Sequence, residues 1–405
     1  MLKIGIAGCG LQAATIASYL NAFGDKYEVV AVMDLNETAA RQRLEEKGVI
    51  QSADCRFFSD VESFIASSPL LDGIIIGTYC ADHTDIACKL EVLQVPLYME
   101  KPVAVSLEQI RQLEKTFRNS SVPVQVSLPM RLCPLTTRAK TIIDSGMLGR
   151  IYQVTGFEDT DGTVYFTTWF RDADKTGGMF MQKAVHDIDY LLYLSGIEPD
   201  TICAMREKVW HIGDKDYELT CEECADKYTC KFGPAYFFEQ RGMYSSFAEA
   251  EKKLSGVYSP DGKFLRKRYC AISKDIAIED IGECIIRDKN GAHLVHTQNF
   301  ISTCAAGRRG ARLVGEKGSL EINFNTGELV FYSSVSNAVE RYSVSPGQFS
   351  HYGGDLLLVK NFLNTMKTGE RSSTDMITGN GLISTLTCLC AGKSADSNQF
   401  VKVVL

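Results

Sequence analysis

Short apolar runs alternate with amphipathic stretches of helical period through the first 127 residues. The runs at 3–7, 28–33, 72–77, 96–99 and 122–128 are too short for helices and too uniformly apolar to have a wet face, so they read as buried strands. A shorter run at 56–58 adds another strand. The intervening segments 14–23, 39–47, 61–66 and 84–93 carry apolar residues on one face and read as helices. This strand–helix alternation predicts a parallel, doubly wound sheet, hence an α/β fold, with a first domain over residues 1–127. From residue 128 to 405 the pattern changes to a second domain. Pro134-Leu135 opens a helix that ends near Ser145-Gly146, and 151–158 reads as a strand. Strands at 201–210, 279–287, 292–302, 312–315, 319–322 and 328–333 follow, with Asn290-Gly291 marking a hairpin turn. Helices at 356–366 and 382–395 and a strand at 400–405 end the chain.

One helical stretch departs from a plain core pattern. Gly177 to Gly196 opens on two glycines, then carries Gln182, Lys183, His186, Asp187 and Asp189 before the apolar run Tyr190 to Leu194. Gln182, His186 and Asp189 fall at i, i+4 and i+7, so a regular helix presents them on one face. An ordinary amphipathic helix with a solvated polar side is the plain alternative, and the N-terminal third decides between them.

There, the strand at 3–7 runs into Gly8-Cys9-Gly10-Leu11-Gln12-Ala13, a G-x-G-x-x-A turn that leads into a helix. Gly8 permits a tight turn, Gly10 lets the backbone approach a pyrophosphate, and Ala13 is small enough for close helix–strand packing. Leu11 and Gln12 stand at the helix N-terminus that would face the anion. The next strand ends in Asp34, the acid expected on the ribose hydroxyls. No basic residue directly follows it, which favours NAD over NADP. Thr78 and His83 lie in a loop at the C-terminal edge of a strand, where open α/β sheets bind ligands. Glu100-Lys101-Pro102 lies at a second such edge. A buried lysine there has a pKa lowered towards a useful range and can exchange a proton with a substrate hydroxyl. A surface lysine in a turn is the alternative.

Composition narrows the class. The chain has 405 residues, 45% hydrophobic and 23% charged, with a formal net charge of −7. That balance argues against a nucleic-acid or anionic-membrane partner held by bulk charge. No apolar run reaches bilayer-spanning length, and the N-terminus reads as a first strand, not as a signal peptide. Fourteen cysteines at mostly irregular positions point to free thiols in a reducing cytoplasm.

These motifs together resemble the Gfo/Idh/MocA family of nicotinamide-dependent oxidoreductases. The matching pieces are the glycine turn at 8–13, Asp34, Thr78 to His83, the Glu100-Lys101-Pro102 triplet, and the 177–189 stretch. Ser145 to Arg150, Gly315 to Leu320 and His351 to Asp355 match as well. The resemblance implies an N-terminal Rossmann domain and a C-terminal α/β domain whose open, mostly antiparallel sheet forms a homodimer or homotetramer interface. It implies NAD as cofactor, held by Gly8, Gly10, Leu11, Gln12, Asp34, Thr78, His83, Glu100 and Lys101. It implies hydride transfer at a secondary alcohol carbon of a sugar, cyclitol or sugar derivative, with Lys101 and His186 at the reacting hydroxyl. A redox-neutral glycosidase, lyase or epimerase working through a transient keto-sugar is the rival enzyme class. A non-catalytic NAD or sugar sensor is the third. One departure matters: the family commonly has an acid four residues before the histidine, and here Gln182 cannot take a proton, so beside Lys101 and His186 its expected part in catalysis is to hold the substrate. Lys183, Arg131, Trp169, Arg171 and Asp189 are candidate substrate contacts, since aromatic faces and guanidinium groups suit a sugar. Trp169 is equally readable as core, and His351 as a helix-start residue or a contact.

Cys221, Cys224 and Cys230, with Cys270 further on, lie in an insertion at about 211–270. The C-x-x-C spacing suits a structural zinc ion that clamps a loop. Unliganded thiols, a disulfide or a redox pair are the other readings.

Overall fold

The computed structural model describes residues 1–240, 245–250, 256–258, 264–345 and 350–404. Six short strands build the first sheet: β1 (Leu2–Ala7), β2 (Tyr27–Met33), β3 (Gln51–Phe58), β4 (Gly73–Ile76), β5 (Leu97–Met99) and β6 (Val124–Val126). They are ordered β3-β2-β1-β4-β5-β6, and every neighbouring pair is parallel. The order reverses between β1 and β4, so the loops after these strands flank one crevice at their C-terminal ends. The uniformly apolar strands are buried because helices cover both faces: Ile4, Ile6 and Val29 pack to one side, and Ile74, Ile76 and Leu97 to the other. The helix Leu107–Phe117, absent from the sequence reading, has Ile110, Leu113 and Phe117 on its buried side.

The second sheet has nine strands. They are β7 (Ile151–Asp159), β8 (Pro199–Glu207), β11 (Ile281–Asp288), β12 (His293–Asn299), β13 (Arg308–Gly315), β14 (Gly318–Asn323), β15 (Glu328–Ser333), β16 (Val339–Ser343) and β17 (Val401–Lys402), in the order β16-β15-β14-β13-β7-β12-β11-β8-β17. Within this sheet only β7 and β12 pair in parallel among the described residues. The α/β class and the mostly antiparallel second sheet match the expectation. Strand β11 alternates strictly: Gly282, Cys284 and Ile286 face inward, and Glu283, Ile285 and Arg287 do not. The helix Val185–Ser195 lies on the inward face so closely that a Cβ at Gly156 of β7 would collide with Leu191. Two further strands, β9 (Gly256–Tyr258) and β10 (Phe264–Lys267), pair with each other inside the insertion, of which 241–244, 251–255 and 259–263 lie outside the described residues.

A division after residue 127 separates the two sheets but misses a return of the chain. The helix Gly354–Thr368 buries Leu358, Val359, Phe362 and Leu363 against the first sheet's core. Met376 then joins the opposite side of that core, with its backbone N–H on the Val124 carbonyl. The apolar stripe of such a helix is satisfied equally by either core, so periodicity does not say which one it joins.

Candidate active site

The first loop forms an anion cradle. Gly8 has φ +83°, and a Cβ there would collide with Thr78, so glycine is what lets the loops after β1 and β4 touch. Helix Leu11–Tyr19 begins at Gly10 with no side chain capping its first N–H groups, and Leu11 and Gln12 are exposed beside them. An uncapped helix start of this kind fits a pyrophosphate. Asp34, after β2, accepts the Cys9 N–H (2.9 Å) and the Asn36 N–H (2.8 Å). These bonds orient its carboxylate at the crevice, where it fits ribose hydroxyls. Sequence adjacency hid one neighbour: Arg43 donates to the Cys9 carbonyl and stands 3.9 Å from the Asp34 carboxylate.

The second half of the crevice brings Lys101 to the polar helix. Lys101 Nζ donates to the Gln182 carbonyl at 2.7 Å and lies 3.4 Å from its Oε1. Gln182 Nε2 in turn donates to Cys80 Sγ at 2.8 Å. Burial depresses the Lys101 pKa, opposed by Cys80 and Glu100 and reinforced by Lys183 and Arg309. His186 is 3% exposed, and burial, then Lys101, His351, Arg309 and Lys183, hold it well below the usual histidine range, so its ring is neutral. Its Nδ1 has no hydrogen-bond partner among the described residues. Burial, then the nearby Asp355, pushes Glu100 up to about 7, against the pull of Lys101 and Ser127. Tyr79 and Trp169 meet edge to face at 4.8 Å and form an aromatic wall over the loop after β4.

The polar stretch is not one regular helix. Phe180–Ala184 forms a wide π-turn before the α-helix Val185–Ser195. Its i→i+5 bonding breaks the simple i, i+4, i+7 alignment. The turn shifts Gln182 relative to His186; Asp189, in the regular helix that follows, is taken up elsewhere. Arg131 holds it with Nε and Nη2 at 2.7 and 2.6 Å, and Arg131 Nη1 donates to the Ser373 and Gly379 carbonyls. Both side chains are buried, so Arg131 and Asp189 are a structural ion pair instead of substrate contacts.

Three other candidates also change role. His83 has Nδ1 2.7 Å from the Pro102 carbonyl and Nε2 3.3 Å from the Thr78 carbonyl; the neutral ring has one N–H and so donates to one of them, with both nitrogens turned to the backbone of the two loops. Arg171 is buried and donates to the Cys270 and Tyr217 carbonyls, tying the insertion down. Lys183 is paired with Glu158 at 2.7 Å. That carboxylate also lies 2.7 Å from Arg309, which donates to both Asp187 oxygens at 2.9 and 3.0 Å. Burial would raise Glu158, but Arg309 and Lys183 keep it well below the carboxylate range, while burial and Glu158 push Asp187 up to about 7. The sequence reading missed Glu158 and Arg309. Their signal was a charge at an inward-facing parity of β7 and β13.

The cysteine insertion gives a correction. Burial, then Cys270, Cys230 and Cys224, raises Cys221 to about 12, so the four thiols are neighbours. Yet among the described residues no group of three or more His, Cys, Asp or Glu side chains is arranged to hold a metal ion. The donor set therefore does not fit zinc. Short C-x-x-C spacing restrains two ligands, but neighbouring thiols do not by themselves point at one common centre. No helix of the described residues is long and apolar enough to cross a membrane.

Comparison with known proteins agrees with this layout. The family model for the NAD-binding Rossmann-fold domain matches residues 2–128, and the model for a C-terminal domain of the same family matches residues 136–231. The chain belongs to the Gfo/Idh/MocA oxidoreductase family. It is an NAD-binding oxidoreductase. The YteT protein of Bacillus subtilis (strain 168) is 23% identical over 388 residues, covering 88% of this chain and 87% of its own. The scyllo-inositol 2-dehydrogenase (NAD(+)) of the same organism is 28% identical over 134 residues, 33% of this chain and 38% of that one. Among solved structures, a levoglucosan dehydrogenase in complex with NADH and levoglucosan superimposes with a TM-score of 0.73 at 16% identity, covering 100% of both chains. At that identity the likeness speaks for the Gfo/Idh/MocA fold alone.

Proposed function

We propose that this chain is an NAD(H)-dependent dehydrogenase acting on a secondary alcohol carbon of a sugar, cyclitol or sugar derivative. The observation that carries the reading is that buried Lys101 is held by the Gln182 carbonyl at the polar turn that runs into the helix of buried His186, close enough for its charge to bear on that ring, beside the Gly8–Gly10 cradle. Bound NAD(H) would supply the hydride acceptor or donor. The protein's share is the proton. Lys101 polarises or deprotonates the hydroxyl, and His186 is its acid/base partner. Gln182 does not take a proton; it anchors Lys101 through its carbonyl and is itself steadied by Cys80. Trp169 and Tyr79 supply a ring-stacking wall. A polyol is also the substrate type of the inositol- and levoglucosan-acting relatives. Exposed Met205 and Ile285, on neighbouring strands of the second sheet, support assembly into a homodimer or homotetramer through its open face. The free cysteines among the described residues suit a reducing cytoplasm.

The test is NADH formation from NAD⁺ across a panel of cyclitols, sugars, uronic acids and glycosides, with product analysis on the same samples. NADH appearing with one class supports the dehydrogenase. Product without net NADH replaces it with the redox-neutral reading. Lys101→Ala should lower turnover by about 10²–10⁴-fold and leave NAD⁺ binding intact.

A further inference from the structure

Arg43 differs from its neighbours on the helix Glu37–Glu46. Arg41 and Gln42 stand in solvent, and Arg41 is engaged by Glu37 at 2.7 Å and by the face of Phe57. Arg43, in the last turn, is 29% exposed and turns inward. Helical side chains lean back towards the helix N-terminus, which brings its guanidinium to the ends of β1 and β2. There it meets Cys9, the middle residue of the Gly8–Gly10 turn. Cys9 is held at three points by one segment, residues 34–43. Its N–H donates to Asp34 Oδ2 at 2.9 Å, its carbonyl accepts from Arg43 Nη1 at 2.8 Å, and its thiol lies 3.9 Å from the Ala40 carbonyl. Just before it, the Gly8 N–H donates to the Met33 carbonyl at 2.7 Å. Just after it, a Cβ at Gly10 would stand 3.2 Å from the Gly77 carbonyl, so the turn has little room to shift on that side.

We propose that Arg43 is the positioning residue of the cofactor turn: its grip on the Cys9 carbonyl fixes the peptide that leads into the uncapped helix start, the part of the crevice that fits a pyrophosphate. The Cys9 carbonyl and the Gly10 N–H belong to one rigid, planar unit and point in opposite directions. A guanidinium bonded to the carbonyl therefore sets the direction of that N–H and the entry of the chain into helix Leu11–Tyr19. Asp34 secures the preceding peptide, the one shared with Gly8, so removing Arg43 takes away the side-chain hold on the unit after Cys9. The bond is charge-assisted and mostly shielded from water, which makes it stronger than a neutral one. Arg43 acts through the backbone and not by touching the cofactor. The proposal rests on the chain's binding of NAD and is independent of the substrate and of the reaction.

Isothermal titration calorimetry on the full-length protein tests this without any turnover. The probes are NAD⁺, ADP-ribose and adenosine; the first two carry the pyrophosphate and the third does not. Arg43→Met should weaken NAD⁺ and ADP-ribose by about tenfold, the order of one hydrogen bond's net worth. Adenosine should stay within about twofold of wild type, because Asp34 keeps both of its N–H donors. Arg43→Lys, which keeps a charged donor, should recover most of the loss. Arg43→Met binding NAD⁺ within about twofold of wild type overturns the proposal. A loss equal for all three probes, or one that Arg43→Lys does not recover, marks a general loosening of the domain and overturns it too. Should Arg43→Met not fold, the same three affinities are compared on Arg43→Gln, with the same outcomes. Wild type that binds NAD⁺ but forms no NADH on the panel sinks the dehydrogenase reading and leaves this result standing.

Discussion

Asp34 carries a prediction that does not depend on knowing the substrate. Its two oxygens each accept one backbone N–H, at 2.9 and 2.8 Å, which leaves lone pairs directed at the crevice for two ribose hydroxyls. Hydrogen bonds to a charged group are worth about 1.5–3 kcal/mol, against about 0.5–1.5 for neutral ones. Asp34→Asn keeps the shape but removes the charge. It therefore loses about 1 kcal/mol for each ribose bond, or about 2 in all, which is about 30-fold in affinity. The same carboxylate repels a 2′-phosphate by about 3 kcal/mol per unit charge at about 5 Å and an effective dielectric of about 20. Arg43, 3.9 Å from the carboxylate, is the cation that this substitution would free to meet a phosphate. NAD⁺ should thus bind Asp34→Asn about 30-fold more weakly, while NADP⁺ binding improves. Titrating intrinsic fluorescence with each cofactor measures both. Wild type binding NADP⁺ as tightly as NAD⁺, or a variant within twofold of wild type for NAD⁺, would refute the reasoning.

Removing one partner of the buried Arg131–Asp189 pair leaves an uncompensated charge, so Arg131→Met should cost about 3–5 kcal/mol in urea unfolding, with KM unchanged in whatever folded protein remains; a raised KM at full stability would restore Arg131 to the substrate. Burial lowers His83 and His296 to about 4 and takes His186 well below 6.5, so the unfolded chain binds these protons first as pH falls. Their contribution is fully present above about 6.5 and is lost as pH drops towards 4. Glu100 and Asp187, raised to about 7, take up protons first in the folded state and oppose this loss, so the check is a single-site one: His296→Gln should flatten the fall in urea-unfolding stability between pH 6.5 and 4 relative to wild type, and an unchanged slope would contradict neutral burial.

The alternation of short apolar runs with amphipathic segments was enough to specify the parallel sheet, and the glycine turn with Asp34 was enough to point to the crevice proposed for the nucleotide. Both are local: a strand buried on both faces must be apolar throughout, and a tight turn beneath a pyrophosphate needs glycine within a few residues. Lys101 was legible for a similar reason, since it follows a strand directly. What sequence spacing could not convey was which partner each buried charge would meet. Arg131 finds Asp189 across 58 positions, and Arg309 finds Asp187 across 122. Arg171 is used up on the carbonyls of the insertion, and His83 turns both ring nitrogens to loop carbonyls, one of which its single N–H can bond. A charge removed from water must be compensated by whatever the fold brings within reach, so its role is settled only when the two sheets and the helices between them have packed. The same holds for His351. In the sequence it is a histidine ahead of a helix; only the return of that helix to the nucleotide-binding domain sets it against His186.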